Sequence, residues 1–176
     1  MKKITLGVTG GISAYKAADL CSMLVKSGFE VRVVMTENAT RFITPLVFKT
    51  LSQHEVVTTL WDDPDWKPAH IALANDSDLV VIAPATANFI AKLACGIADD
   101  ALTSLCAAYH GKMVIAPAMN PAMWSNTACC ENVALLKKRG VEFCGPAEGH
   151  VACGSEGAGR LEEVAKIFEK ICQTLA

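Results

Sequence analysis

Apolar runs alternate with stretches of helical period along most of the chain. KITLGV (3–8) predicts a first strand. Ala14, Ala17, Ala18, Cys21, Leu24 and Val25 then recur at spacings that line one helical face. Gly28 ends that helix. EVRVVMT (30–36) predicts a second strand. DLVVIAPA (78–85) and KMVIAPA (112–118) are almost continuously apolar, as strands covered on both faces are. VEF (141–143) predicts a short further strand, and helical patterns lie at 86–96, 100–109, 126–139 and 161–174. This alternation predicts an α/β fold with a parallel sheet between helices. No linker or low-complexity segment breaks it, so residues 1–176 are expected to form one domain.

Four segments stand where such a fold binds ligands. VIAPATAN (81–88) and VIAPAMN (114–120) begin with the same five residues, 33 positions apart. Both strands are expected to stop at their proline, leaving small alanines at the carboxyl edge where open parallel sheets take ligands. Ordinary strand termination is the alternative. GVTGGIS (7–13) spans the turn from strand one into helix one, where glycines let a backbone approach a phosphate and Thr9 and Ser13 offer hydroxyls. A simple tight turn fits it equally. Strand two ends in VMTEN, where Glu37 could hold a ribose and Thr36 or Asn38 a phosphate or flavin side chain. ACGSEGAGR (152–160) is expected to be a mobile surface loop, which makes its thiol, Cys153, unusual.

Composition narrows the class. Of 176 residues, 52% are hydrophobic and 19% charged, against about 25% charged in an average domain. That excess predicts a homo-oligomer that covers part of the apolar surface. A net charge of −2 without a basic cluster argues against nucleic acid or an anionic membrane as partner. No secretory or membrane-spanning segment is visible, so a cytoplasmic protein is expected. The eight cysteines are then mostly thiols, and none has CxxC spacing, so no metal site is expected. His70, in KPAHIALA, either moves a proton near neutral pH or is a helix-capping side chain. His54, His110 and His150 look like surface or loop residues.

GGISAYK (10–16), PATANFIAKLACGIADD (84–100), PAMNPAMW (117–124) and ACGSEGAGR (152–160) together carry a resemblance. The chain resembles the homo-oligomeric flavin-containing cysteine decarboxylases over nearly its whole length. The family patterns are PASANT and PxMNxxMW. Pro117, Met119, Asn120, Met123 and Trp124 all match the second. In the first, Thr86 replaces Ser and Phe89 stands where Thr is usual. The flap segment ACGDxGxGR has Ser155 for Asp, and its cysteine marks the coenzyme A branch of the family. Peptidyl-cysteine decarboxylation and non-enzymatic FMN-dependent regulation remain the alternatives, although this chain lacks the acidic tails of the regulators. In many bacteria a synthetase domain follows the decarboxylase, and a stand-alone version is expected here.

The resemblance implies a Rossmann-like (flavodoxin-like) three-layer sandwich, FMN as cofactor, a small-molecule substrate, and a homotrimer or an assembly of trimers (a dodecamer). It implies FMN contacts from Gly10, Gly11, Ile12, Ser13, Thr36, Phe42, Ala85, Thr86, Asn88, Thr103, Ala118 and Met119. Asn120, Met123, Ala152, Gly154 and Arg160 would contact substrate, and Lys16 and Arg160 are candidates for phosphate. Asn126 looks like the natural cap of the following helix, which would free Asn120 for a ligand. His70, Asn120 and Cys153 would be catalytic. The implied chemistry converts 4′-phosphopantothenoylcysteine to 4′-phosphopantetheine. FMN oxidises the thiol end to a thioaldehyde, CO2 leaves, and the enethiolate is reduced again with Cys153 as proton donor. Closure of the flap over the substrate is expected.

Overall fold

A computed structural model describes residues 1–61, 68–150, 154 and 156–176. β1 (Lys3–Val8), α1 (Ala14–Lys26) and β2 (Glu30–Met35) form the first unit. α2 (Glu37–Thr40), α3 (Pro45–Ser52) and β3 (Val56–Val57) extend it outward. The chain then returns through α4 (Ala69–Asp76) to β4 (Leu79–Ala85), α5 (Ala87–Cys95), α6 (Ala101–Ala108) and β5 (Met113–Pro117). α7 (Pro121–Trp124), α8 (Thr127–Lys138) and β6 (Glu142–Phe143) follow. An antiparallel ribbon, β7 (Ala147–His150) and β8 (Glu156–Arg160), precedes α9 (Val164–Leu175). The main sheet is parallel throughout, in the order β3-β2-β1-β4-β5-β6.

Side-chain alternation along the strands sorts two cores. Leu79, Val81 and Ala83 of β4 face α1, α3 and α9 with Ile4, Leu6, Val8 and Phe48. Val80 and Ile82 face α5, α6 and α8 with Phe89, Ile90, Leu102 and Leu105. Every residue of β4 is buried, which is why its sequence shows no alternation. Gly7 belongs to the second face. A Cβ there would stand 2.6 Å from both Ile82 Cδ1 and Leu102 Cδ1, so the bare glycine lets α6 close on the sheet.

The predicted strands and the five predicted helical stretches are all present. Three features differ. Pro84 does not stop its strand, because β4 runs on to Ala85. The β4–β5 register slips between Ile82 and Ala85, and a proline, which lacks an N–H, is tolerated at such an irregularity. The stretch 156–160 is a strand rather than a mobile loop, paired with β7 from Ala147↔Arg160 to His150↔Glu156. Its glycines serve close packing: a Cβ on Gly159 would collide with Met119 O, and one on Gly157 would lie 3.1 Å from Pro121 Cβ. α3 and α7 were not legible as helices. α7 is one turn, and α3 is a short segment with several exposed apolar residues, Leu46 among them. Among the described residues, no helix is long and apolar enough to cross a membrane.

Candidate active site

β1 and β4 are sheet neighbours, yet the chain leaves them in opposite directions across the sheet. This is the switch point at which open α/β sheets leave a crevice beyond their carboxyl ends. A cavity of about 540 Å³ lies there. The β1–α1 turn supplies Gly10, Gly11, Ile12 and Ser13, and α1 adds Tyr15 and Lys16. The β4 exit supplies Thr86 and Ala87, and the β5 exit Ala118, Met119, Asn120 and Met123. His150, Gly159 and Arg160 close it from the ribbon.

The wall is built from the strand ends outward. Thr9 is buried, and its hydroxyl donates to Pro84 O at 2.8 Å while accepting from Thr86 N at 3.0 Å. It therefore ties the β1 and β4 exits together instead of offering a donor to a ligand, contrary to the sequence expectation. Gly10 is required by packing, since a Cβ would stand 2.5 Å from Asn38 Cβ and 2.7 Å from the Asn38 carbonyl carbon. Gly11 is different: a Cβ would touch Thr86 Cγ2 at 3.8 Å and nothing closer, so its open face is turned to the cavity. Ser13 makes no side-chain cap at the start of α1, and the first turn holds no acidic residue. Ala14 N and Lys16 N donate to Gly11 O and Ser13 O, and with no side chain on its end the helix keeps its positive dipole end facing the cavity.

The opposite wall is held by main chain. Met119 N donates to Gly159 O at 2.9 Å, which joins the ribbon to the β5 exit. Below it, the Cys129 thiol contacts Met119 Sδ at 3.7 Å. Asn120 Oδ1 accepts from Ala122 N at 2.8 Å and caps α7. The expectation that Asn126 would free Asn120 from capping is corrected: both asparagines cap, because α7 and α8 are separate helices. Asn120 nonetheless lines the cavity.

The fold thus gathers Gly10, Gly11, Ile12, Ser13, Thr86, Ala118, Met119, Asn120, Met123 and Arg160 at one site. It leaves others off the cavity wall of this chain. Thr36 caps α2 by accepting from Ala39 N at 3.3 Å. Phe42 and Asn88 are exposed elsewhere, and Ala85 is buried in β4. Thr103 is buried in a capping box with Asp100, its hydroxyl donating to Asp100 Oδ1 at 2.8 Å. Gly154 is exposed and not part of the wall. His70 sits in the first turn of α4, outside the cavity lining, and its Nδ1 is buried with no partner among the described residues. Ala152 and Cys153 lie outside the described residues. Tyr15, Ala87, His150 and Gly159 line the cavity without having been singled out as ligand contacts. The alternate glycines of EGAGR, read as a close-packed strand, were the available signal for the ribbon.

Two buried thiols off the cavity wall are poor nucleophiles. Burial pushes Cys106 up to about 12 and Cys21 up to about 11.

The Flavoprotein family model matches residues 1–176. A probable phosphopantothenoylcysteine decarboxylase of Streptococcus mutans is 43% identical over 177 residues, covering 99% of both chains. The coenzyme A biosynthesis bifunctional protein CoaBC of Bacillus subtilis is 46% identical over 173 residues, 96% of this chain and 43% of the relative. The chain spans less than half the length of such bifunctional relatives. Among solved structures, a phosphopantothenoylcysteine decarboxylase mutant in complex with pantothenoylaminoethenethiol superposes with a TM-score of 0.88 at 28% identity, covering 98% of this chain and 97% of that one. The FMN-dependent cysteine decarboxylase SpaF gives 0.85 at 35%, covering 100% and 98%. An α/β sheet with its crevice at the β1–β4 switch point, walled by the PAMNPAMW segment, and a family match over the full length together establish that the chain belongs to the Flavoprotein family.

Proposed function

We propose that this chain is an FMN-dependent decarboxylase of 4′-phosphopantothenoylcysteine, acting in coenzyme A biosynthesis. One observation carries the reading. The uncapped start of α1 and the Met119–Asn120 segment, which the sequence places over a hundred residues apart, face one cavity at the sheet's switch point. The residues present fit FMN. The positive end of α1 and the Ser13 hydroxyl suit its phosphate, the open face of Gly11 admits a flat ring system, and Ala118 and Met119 supply an apolar wall. When bound, FMN would accept two electrons from the substrate thiol and return them after CO2 has left.

The chain's own residues do the rest. Asn120, oriented by its bond to Ala122 N, holds the reacting carboxylate end of the substrate. Met123 packs against the substrate at the cavity mouth. Cys153 donates the proton that completes the saturated thiol. His70 acts on the substrate in trans: in a homo-oligomer built on trimers, α4 of one copy reaches the cavity of the next. Its unpartnered buried Nδ1 and its absence from the wall of its own cavity support this.

The test is the purified protein's absorption spectrum, read together with product mass after adding 4′-phosphopantothenoylcysteine. A flavin spectrum with loss of CO2 is expected. A colourless protein, or a yellow one that leaves the substrate intact, overturns the reading. The likeness to SpaF favours one competing reading, decarboxylation of a peptide C-terminal cysteine. Turnover of a cysteine-terminated peptide in preference to the pantothenoyl substrate would decide for it.

A further inference from the structure

Cys129 is a buried thiol that the proposed reaction does not use. It stands in the first turn of α8, at one end of a buried face continued by Val133 and Leu136. An aliphatic side chain would fill such a position equally well. A thiol differs by carrying a weak donor, and here an acceptor stands opposite it. Cys129 Sγ lies 3.7 Å from Met119 Sδ, within reach of an S–H···S hydrogen bond. Burial and the neighbouring Cys130 push the Cys129 thiol up from its ordinary value, so it keeps the proton it donates.

Met119 is already fixed at its main chain. Met119 N donates to Gly159 O and Ala118 N to Ala85 O, both at 2.9 Å. Its side chain packs partly on the core that holds Cys129, Val133 and Leu136, and it also lines the cavity. A methionine side chain has three rotatable bonds. It loses rotamers when a ligand settles against it, and one that is already held loses fewer. The start of α8 braces the rest of the PAMNPAMW segment too. Asn126 N donates to Met123 O at 3.3 Å, and the Cys130 thiol donates to Trp124 O at 3.4 Å.

We infer that Cys129 is a positioning residue, whose thiol holds the Met119 thioether in place as the apolar wall of the flavin pocket. The inference rests on the FMN reading of the cavity. Cys129 is not part of the cavity lining, so it acts through Met119 and not on the ligand. Its loss would leave the fold and the main chain at the β5 exit intact, and would return to the Met119 side chain the freedom that flavin binding must then remove.

Two readouts test this, one of them without flavin. Isotope-labelled methionine methyl groups report side-chain mobility by NMR in the flavin-free full chain, and Met119→Leu identifies the Met119 signal. That signal should stay dispersed in the wild-type and Cys129→Ser proteins, which keep a donor, and move to the averaged position of a mobile side chain in Cys129→Ala. Cys130→Ala removes the neighbouring thiol and should leave the signal in place. FMN affinity, read from quenching of flavin fluorescence, should fall about three- to fivefold in Cys129→Ala and recover at least in part in Cys129→Ser. In a Met119→Leu background the same Cys129→Ala change should cost less than about twofold, because the acceptor is gone. A rigid Met119 signal in Cys129→Ala, the same mobility in Cys130→Ala, identical behaviour of the Ser and Ala variants, or an equal loss of affinity with and without Met119 overturns the inference. A wild-type protein that binds no FMN removes the flavin reading instead, and the methyl signal then still decides whether Cys129 holds Met119.

Discussion

Thr9 and Thr86 stand at the exits of neighbouring strands, and burial gives them different tasks. Thr9 is sealed between Pro84 O and Thr86 N, whereas Thr86 caps α5 from the cavity wall by accepting from Phe89 N. Thr9→Val should therefore destabilise without removing a ligand contact. The cost is about 1–2 kcal/mol, because Thr86 N loses its partner in a part-buried setting. Thermal denaturation would register it as a fall of roughly 2–8 °C. Gly159→Ala acts through shape: its Cβ would collide with Met119 O, and Pro121 N would be 3.1 Å away. A loss of about 1–3 kcal/mol is expected, together with weaker flavin retention. Both are read from melting curves and flavin absorbance. In native protein, Cys21 and Cys106 should stay unlabelled by a disulfide reagent until the chain unfolds, because burial holds both thiols protonated. For the proposed chemistry, Cys153→Ser should still permit oxidation and loss of CO2 but stall at the enethiol, which mass spectrometry would detect. His70→Ala should abolish CO2 release.

At the scale of elements, the ribbon changes the meaning of its glycines. EGAGR looked like a loop because glycine favours loops, and a sequence alone does not say what backbone passes beside it. The packing partner, the Met119–Pro121 segment, lies far away in the chain. The last helix, held by the buried Ile167 and Ile171, adds a charged contact at the sheet's edge. Lys170 and Thr174 of α9 both donate to Glu142 Oε2 of β6, and the Lys170 hydrogen bond holds the Glu142 carboxyl below its usual range. A depressed carboxyl stabilises the fold fully above its unfolded-state pKa. That contribution disappears as pH falls through the lowered folded-state value. Melting temperature followed from about pH 7 to about pH 3 should show this acid-side loss, and Glu142→Gln should reduce the slope in that window.

For the whole molecule, the high apolar content has a visible consequence. Leu46 is 68% exposed and Trp61 86%. Ile12, Tyr15 and Met123 are also exposed at the cavity mouth. Isolated exposed apolar residues are ordinary, but several large ones around a cavity mouth suit contact with another copy. The protein should therefore elute as a homo-oligomer, with light scattering giving a multiple of the 18.7 kDa chain. A monomer at working concentration would sink both that expectation and the supply of His70 in trans.

The sequence by itself determined the order of the main strands and the longer helices, because each period reflects the one or two faces a segment must bury. It also determined the likeness to cysteine decarboxylases through Pro117–Trp124 and the flap, since these motifs are contiguous. Its glycine turn, Thr86 and Met119–Asn120 were legible as neighbours of a ligand for the same reason. Only the tertiary structure decided that Thr9 is consumed as a strand tie, that Asn120 caps a helix while facing the cavity, and that His150 lines the cavity. It also separated His70 from the cavity wall of its own chain. These facts depend on which distant backbone fills a given space. A local pattern records burial and turn preference, and distant packing decides where the remaining donors point.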